Sequence, residues 1–221
     1  MKIQLRDYQT DTVHAVIKHF KSSQDSAVLV LPTGAGKSLI IAQLAKLAKR
    51  PILIVTHVKE LVEQNAQKIQ QLGVEVDIFS AGLKQRKHKG QVTVGSIQSI
   101  SANLEKFTQD YSLIIIDECH RVDWSDEKSK KQTQYQRLIE FIKVNNQVKV
   151  LGLTATPYRL NKGWVYKKHY RGFLRDVESP IFDQCIYEIS IGQLIREKYL
   201  TPANIINIAF QNYELFQDEE N

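Results

Sequence analysis

Three short stretches hold residue types that chemistry uses. In "LPTGAGKS" (Leu31 to Ser38), the apolar run Ala27 to Leu31 leads into Thr33, Gly34, Ala35 and Gly36, and then Lys37 and Ser38. Glycines at such a turn let backbone N–H groups curl around phosphate oxygens, and a helix beginning at the lysine adds its positive end. Lys37 would neutralise the β and γ phosphates of a nucleotide, and the Ser38 hydroxyl would complete a Mg²⁺ shell. A plain glycine-rich turn would explain Gly34 or Gly36, but not Lys37 and Ser38 at the helix start. In "LIIIDECH" (Leu113 to His120), an apolar strand delivers Asp117 and Glu118 at its carboxyl end. Asp117 would hold the metal, and Glu118 would orient and activate a water. Taken alone, the pair is an acidic turn after a buried strand. In "LGLTATP" (Leu151 to Pro157), Thr154 and Thr156 could bond to the turn from Asp117 to His120 and couple nucleotide state to backbone position.

Strand-to-helix alternation must position these groups. Val13, Val16, Ile17 and Phe20 fall at i, i+3, i+4 and i+7, which predicts an amphipathic helix from about Asp7 to Lys21. Runs rich in β-branched residues predict strands at Ala27 to Leu31, Ile52 to Thr56, Val74 to Phe79, Val92 to Gly95, Ser112 to Asp117 and Val148 to Leu153. Helical patterns lie between most of them, at Ser38 to Lys49, Lys59 to Leu72 and Gln132 to Val144. This order specifies right-handed βαβ units, hence an α/β fold with a mostly parallel sheet covered by helices on both faces. Farther on, Ile186 to Pro202 reads as one helix closed by a turn, and Ala203 to Phe210 as a further strand. The polar tail "QNYELFQDEEN" reads as the start of a linker or of a second domain.

With 221 residues, 43% of them hydrophobic, the chain can bury a substantial core. It has no stretch near the roughly 18 apolar residues that a membrane span needs, and its N-terminus lacks a signal-peptide pattern, so an intracellular, cytoplasmic location is expected. Cys119 and Cys185 make no disulfide framework, and the histidines show no ligand spacing, so a structural zinc is not expected. Cys119 reads as a small packing residue. The net charge of +6 suggests a polyanionic partner. The stretch from Tyr158 to Arg175 interleaves Arg159, Lys162, Lys167, Lys168, Arg171 and Arg175 with Tyr158, Trp164, Tyr166, Tyr170 and Phe173. Such a mixture suits single-stranded nucleic acid, although Trp164 and Phe173 also fit a core.

In this order and spacing, the three motifs resemble those of the superfamily 2 helicases and translocases. That family usually lacks the first glycine of the strict phosphate-loop pattern, so Leu31 at that place agrees with it. The resemblance implies a RecA-like P-loop NTPase domain over residues 1–202, using ATP and Mg²⁺. Gln9 of "LRDYQ" matches the family glutamine that reads adenine, with Arg6 packing on the base or pairing nearby; Gln9 could equally cap the first helix. Thr56, His57, Ser96 and Gln98 match the motifs that hold the phosphates of a single strand, and Ser96 would also serve as an N-cap. Arg159 and Lys162 would touch nucleic acid, nucleotide or a second domain. The longer matches, among them "HVKELVEQN", "VGSIQSI" and "DQCIYE", are similar to a bacterial helicase-like family of double-strand-break repair. That likeness implies action on single-stranded or branched DNA as a monomer near the nucleoid, alongside single-stranded-DNA-binding protein and the recombinase. It also implies a second RecA-like domain, whose arginines complete the hydrolytic site. A restriction or remodelling translocase, or an ATP-switched binding module, shares the same motifs.

Overall fold

Alternation of apolar side chains along each short strand sorts them onto two faces, and the sheet is built around that sorting. The computed structural model describes residues 4–122, 132–145, 147–160, 162–177 and 180–202. Its strands are β1 (Ala27–Val30), β2 (Ile52–Thr56), β3 (Asp77–Ser80), β4 (Gln85–Arg86), β5 (Val92–Ser96), β6 (Leu113–Asp117), β7 (Lys149–Thr154), β8 (Tyr158–Arg159), β9 (Gly163–Trp164), β10 (Tyr166–His169) and β11 (Phe182–Glu188). Its helices are α1 (Asp7–Ser22), α2 (Lys37–Leu47), α3 (Lys59–Gln71), α4 (Ile97–Ser101), α5 (Gln134–Asn145) and α6 (Ile191–Arg196). Nine strands form one sheet in the order β10-β11-β1-β7-β6-β2-β5-β3-β4, while β8 and β9 form a separate hairpin. Among the described residues, the named strands of the large sheet pair in parallel except β3 with β4.

Ala27 and Leu29 of β1 face a cluster containing Val13, Val16, Ile40, Ile41, Val62 and Ile69 from α1, α2 and α3. Val28 and Val30 face the other way, toward Ile97, Ile100, Leu138, Ile139 and Ile142 from α4 and α5. Helices therefore cover both faces of an α/β sheet, as the alternation of elements requires. The first four predicted helices and most of the predicted strands agree with the structure to within a few residues.

Two readings need correction. The strand expected from Val74 begins only at Asp77, because β3 takes its register from β5, where Asp77 pairs with Thr93. The single helix expected from Ile186 to Pro202 is instead the end of β11, a short α6, and a turn at Lys198 with φ +60°. β11 lies between β1 and β10 and buries Phe182, Cys185 and Ile186, so sheet pairing overrides the helical pattern. Ser190 marks the true helix start, its hydroxyl accepting the Gln193 N–H at 3.1 Å. The strand expected at Ala203 to Phe210 lies outside the described residues.

Both ends of the large sheet are short and basic. At one, Lys167 and Lys168 of β10 are exposed while Tyr166 and His169 are buried. The outward backbone of β10 is partly engaged by the turn that follows, through His169 N–H to Phe173 O at 3.0 Å and Arg175 N–H to Lys167 O at 2.8 Å. At the other end, β4 is two exposed residues, Gln85 and Arg86.

One glycine fixes how closely the acidic turn can pack on the sheet. A Cβ on Gly152 of β7 would lie 2.4 Å from Phe182 Cζ and 2.7 Å from Cys119 Sγ, and both of those residues are fully buried. Gly152→Ala is expected to lower stability by about 1 to 3 kcal/mol, the usual range for overpacking a core. In urea denaturation, adding Cys119→Ala should recover part of that loss; purely additive effects would contradict the packing described.

Candidate functional site

All the motif-bearing strands are parallel, so their carboxyl ends meet along one edge. β1 runs into the phosphate loop, where Gly34 (φ +83°) and Gly36 (φ +76°) take left-handed backbone that only glycine adopts freely. Gly36 occupies the N-cap position of α2, so Lys37 and Ser38 stand in its first turn, where unpaired N–H groups and the helix dipole favour an anion. Thr33 and Gly34 are exposed, whereas Ala35 is buried.

Lys37 reaches the acidic turn, with its Nζ 3.3 Å from Glu118 Oε1. Glu118 itself sits at φ +53°, a left-handed conformation unfavourable for a residue with a Cβ. Three contacts surround this turn: the Lys37 ion pair, His120 Nδ1 at 3.3 Å from Glu118 Oε2, and the Glu118 N–H donating to Asp117 Oδ1 at 3.0 Å. His120 Nδ1 also lies 2.9 Å from Thr154 Oγ1, which accepts the Thr156 N–H at 3.0 Å. Of the two threonines, Thr154 reaches His120 with its hydroxyl, whereas Thr156 joins only through its backbone N–H on Thr154. Burial pushes the His120 pKa below its ordinary value, against an opposing pull from Glu118.

Asp117 is buried, and that burial raises its carboxyl above the usual range. Asn65 opposes the rise by donating from Nδ2 to Asp117 Oδ2 at 3.0 Å. Sequence reading missed Asn65, although a signal was present: on α3 it shares the apolar stripe of Val62, Ala66 and Ile69 and is fully buried. Cys119 is buried as a packing residue, and burial drives its thiol well up, away from thiolate chemistry.

At the start of α1, Gln9 has two roles. Its Oε1 accepts the Arg6 N–H at 3.0 Å, capping the helix, and its Nε2 donates to Ala35 O of the phosphate loop at 3.0 Å. The fit is close: a Cβ on Gly36 would stand 2.6 Å from Gln9 Nε2. Tyr8, also missed, donates its hydroxyl to the same Ala35 carbonyl at 2.9 Å. Arg6 is exposed and its guanidinium lies over the ring of Tyr199 at 5.3 Å.

The residues expected to touch nucleic acid are placed as follows. Thr56 is fully buried, with its hydroxyl donating to Val58 O at 3.0 Å. Ser96 is buried at the N-cap of α4, but its hydroxyl bonds Ser99 Oγ at 2.9 Å rather than a helix N–H. Gln98 is exposed and donates to His57 O at 3.0 Å. Burial lowers the His57 pKa, helped by the charge of Arg121. Arg159 donates to Val122 O at 2.8 Å, which ties the β8–β9 hairpin to the end of the acidic turn, and exposed Lys162 lies within that hairpin. Farther along the basic stretch, cations and rings pair with each other: Arg175 lies 3.5 Å over Trp164 and 4.7 Å from the Phe173 ring.

His169, Cys185 and Glu188 form a cluster that spacing did not reveal, since they come from neighbouring strands. His169 Nδ1 accepts the Arg171 N–H at 3.2 Å, which leaves the Nε2 proton to be donated to Glu188 Oε2 at 2.8 Å. Both ring nitrogens are engaged, so the contact fastens β10 to β11 and does not present an open ligand set.

Asn65 supplies the test of this geometry. Because the folded-state pKa of Asp117 is raised, its burial is tolerated best when protonated, and stability falls as pH rises from the ordinary carboxylate range through the raised value. Asn65 favours the ionised form, so Asn65→Leu should be destabilised by roughly 1 to 3 kcal/mol near neutral pH. Denaturation across pH should show that deficit shrinking as Asp117 is protonated; a pH-independent deficit would contradict the assignment.

The "DNA 3'-5' translocase XPB2" of Sulfurisphaera tokodaii is 30% identical over 72% of this chain and 32% of its own length. The "Type I restriction enzyme EcoKI endonuclease subunit" of Escherichia coli is 26% identical over 80% of the chain and 18% of its own. Thus the chain spans about a third or less of the curated relatives it matches. The crystal structure of the UvsW helicase from bacteriophage T4 superposes with a TM-score of 0.53 at 25% identity, covering 71% of this chain and 54% of that one. These similarities bear out the RecA-like fold and the superfamily 2 resemblance at family level. The family described as "Type III restriction enzyme, res subunit" matches residues 2–159, more than half of the chain, and the protein belongs to it.

Proposed function

We propose that the chain is the ATP-binding first motor domain of a DNA-directed ATPase of superfamily 2. The ion pair between Lys37 and Glu118 carries this reading, because it joins the phosphate loop to the acidic turn at 3.3 Å. In this ion pair Glu118 holds the lysine charge. An arriving γ-phosphate competes for Lys37 and frees Glu118 to accept a proton from the attacking water. His120, bonded to Thr154, would relay that change to β7 and the hairpin after it. Gln9, already touching the phosphate loop, offers a carboxamide able to bond the adenine edge.

The donor set fits Mg²⁺: the Ser38 hydroxyl and the buried Asp117 carboxylate are hard oxygen ligands, and a divalent cation would supply the positive charge that burial of Asp117 calls for. When bound, the ion would draw charge from the β and γ phosphate oxygens.

Similarity of the quoted stretches to RadD, a bacterial helicase-like protein, supports a role in double-strand-break repair and recombination, on single-stranded or branched DNA. That reading includes a monomeric, cytoplasmic protein meeting single-stranded-DNA-binding protein and the recombinase. A second reading, the motor of a restriction translocase, is favoured by the family description and by the EcoKI relative. Cleavage of DNA by the intact protein would decide for the latter.

Glu118→Gln should lower ATP turnover by about 10² to 10⁴ while leaving ATP binding in place. Steady-state hydrolysis with equilibrium binding checks this, and unchanged turnover would overturn the role given to Glu118. The 221-residue chain alone should bind ATP but hydrolyse it slowly, since arginines of a second domain contribute roughly 10³ to 10⁵ in related phosphoryl transfers. Brisk DNA-stimulated hydrolysis by this segment would contradict that expectation.

A further inference from the structure

The turn after α6 folds back onto the phosphate loop. Its Tyr199 and Leu200 N–H groups both bond to the Leu194 carbonyl, at 2.8 and 3.1 Å, and Lys198 supplies the left-handed residue that makes the reversal. The result places Leu200 Cδ2 3.1 Å from where a Cβ on Gly34 would stand. Tyr199 meets the start of α1: its ring packs edge-on against Tyr8 at 5.0 Å, and its carbonyl accepts from Arg6 Nη1 at 3.3 Å. Tyr8 and Gln9 in turn both bond Ala35 of the loop. Three chain segments far apart in sequence therefore converge beside the phosphate site, and what they bring is a half-buried aromatic ring, an exposed guanidinium and a carboxamide.

We propose that Tyr199, with Arg6, is the base-stacking platform of the nucleotide site. This rests on the phosphate-loop reading above and adds to it the residue that holds the base. The chemistry is that of a π face and a planar cation, both of which stack on any purine without reading its edge. Gln9, whose carboxamide can bond the edge, would then choose between bases, whereas Tyr199 would contribute affinity alike for adenine and guanine nucleotides. Leu200 follows directly and lies against the loop at Gly34, so seating a base on Tyr199 bears on the loop through the next residue.

Binding of MgADP, MgGDP and inorganic tripolyphosphate to the intact protein, measured by calorimetry, tests this. Tyr199→Ala should weaken both nucleotides by roughly tenfold to a hundredfold and leave tripolyphosphate unchanged, as expected from losing one base stack. Tyr199→Phe should restore binding, and Tyr199→Leu, which keeps apolar bulk, should not. Equal ADP affinity in wild type and Tyr199→Ala overturns the proposal and leaves the phosphate cradle standing. Loss of tripolyphosphate together with nucleotide also overturns it, since the turn would then only support the loop. If the wild type binds neither ligand, the cradle and the platform fall together.

Discussion

Strands β1, β7 and β6 lie side by side, parallel and nearly in step, and the candidate site depends on that register. Val30 pairs with Thr154, and Leu153 pairs with Asp117, so the three motifs begin within one residue of the same line. Leu31 N–H extends the match by bonding Thr154 O at 2.9 Å. A slip of one residue in any of them would turn its apolar side chains to the wrong face, and burial on both faces forbids that. The site is thus positioned by the hydrophobic sorting of the core rather than by its own polar contacts.

Once the strands are in step, the polar groups at their ends have little freedom. The acidic turn packs on β7 because Gly152 leaves room for Cys119, and this brings His120 to Thr154 and Glu118 to Lys37. The left-handed backbone at Glu118 is the strained member of the set, and the packing beneath it and the contacts around it hold it in place. Asp117 is unfavourable in another way, as a carboxylate removed from water, and Asn65 offsets part of that penalty.

Much of this was legible in the sequence, for identifiable reasons. α1, α2 and α3 announce themselves by period, and β1, β2, β5, β6 and β7 are short β-branched runs buried on both faces. The C-terminal part was harder to read. β10 hides its pattern behind Lys167 and Lys168, and β11 carries apolar residues that fit a helix about as well as a strand. Long-range partners left weaker marks still. Asn65 is a polar residue in an apolar stripe, and Tyr8 reads as an ordinary core aromatic until its hydroxyl is seen on Ala35. Nothing in local sequence places Tyr199 beside Arg6, because 193 residues separate them and only the completed sheet brings them together.

The two ends of the sheet give the basic surplus a different meaning. A parallel sheet that stops in open solvent offers its last strand to any other strand with free backbone groups, and proteins discourage this with lysines, brevity and covering turns. Here β10 has Lys167 and Lys168 outward and part of its outer backbone already taken by the turn reaching Arg175, while β4 ends the other side after two exposed residues. Charge that looks like an invitation to a polyanion therefore also acts as a deterrent, keeping a nine-stranded sheet from growing a tenth strand borrowed from a neighbouring molecule.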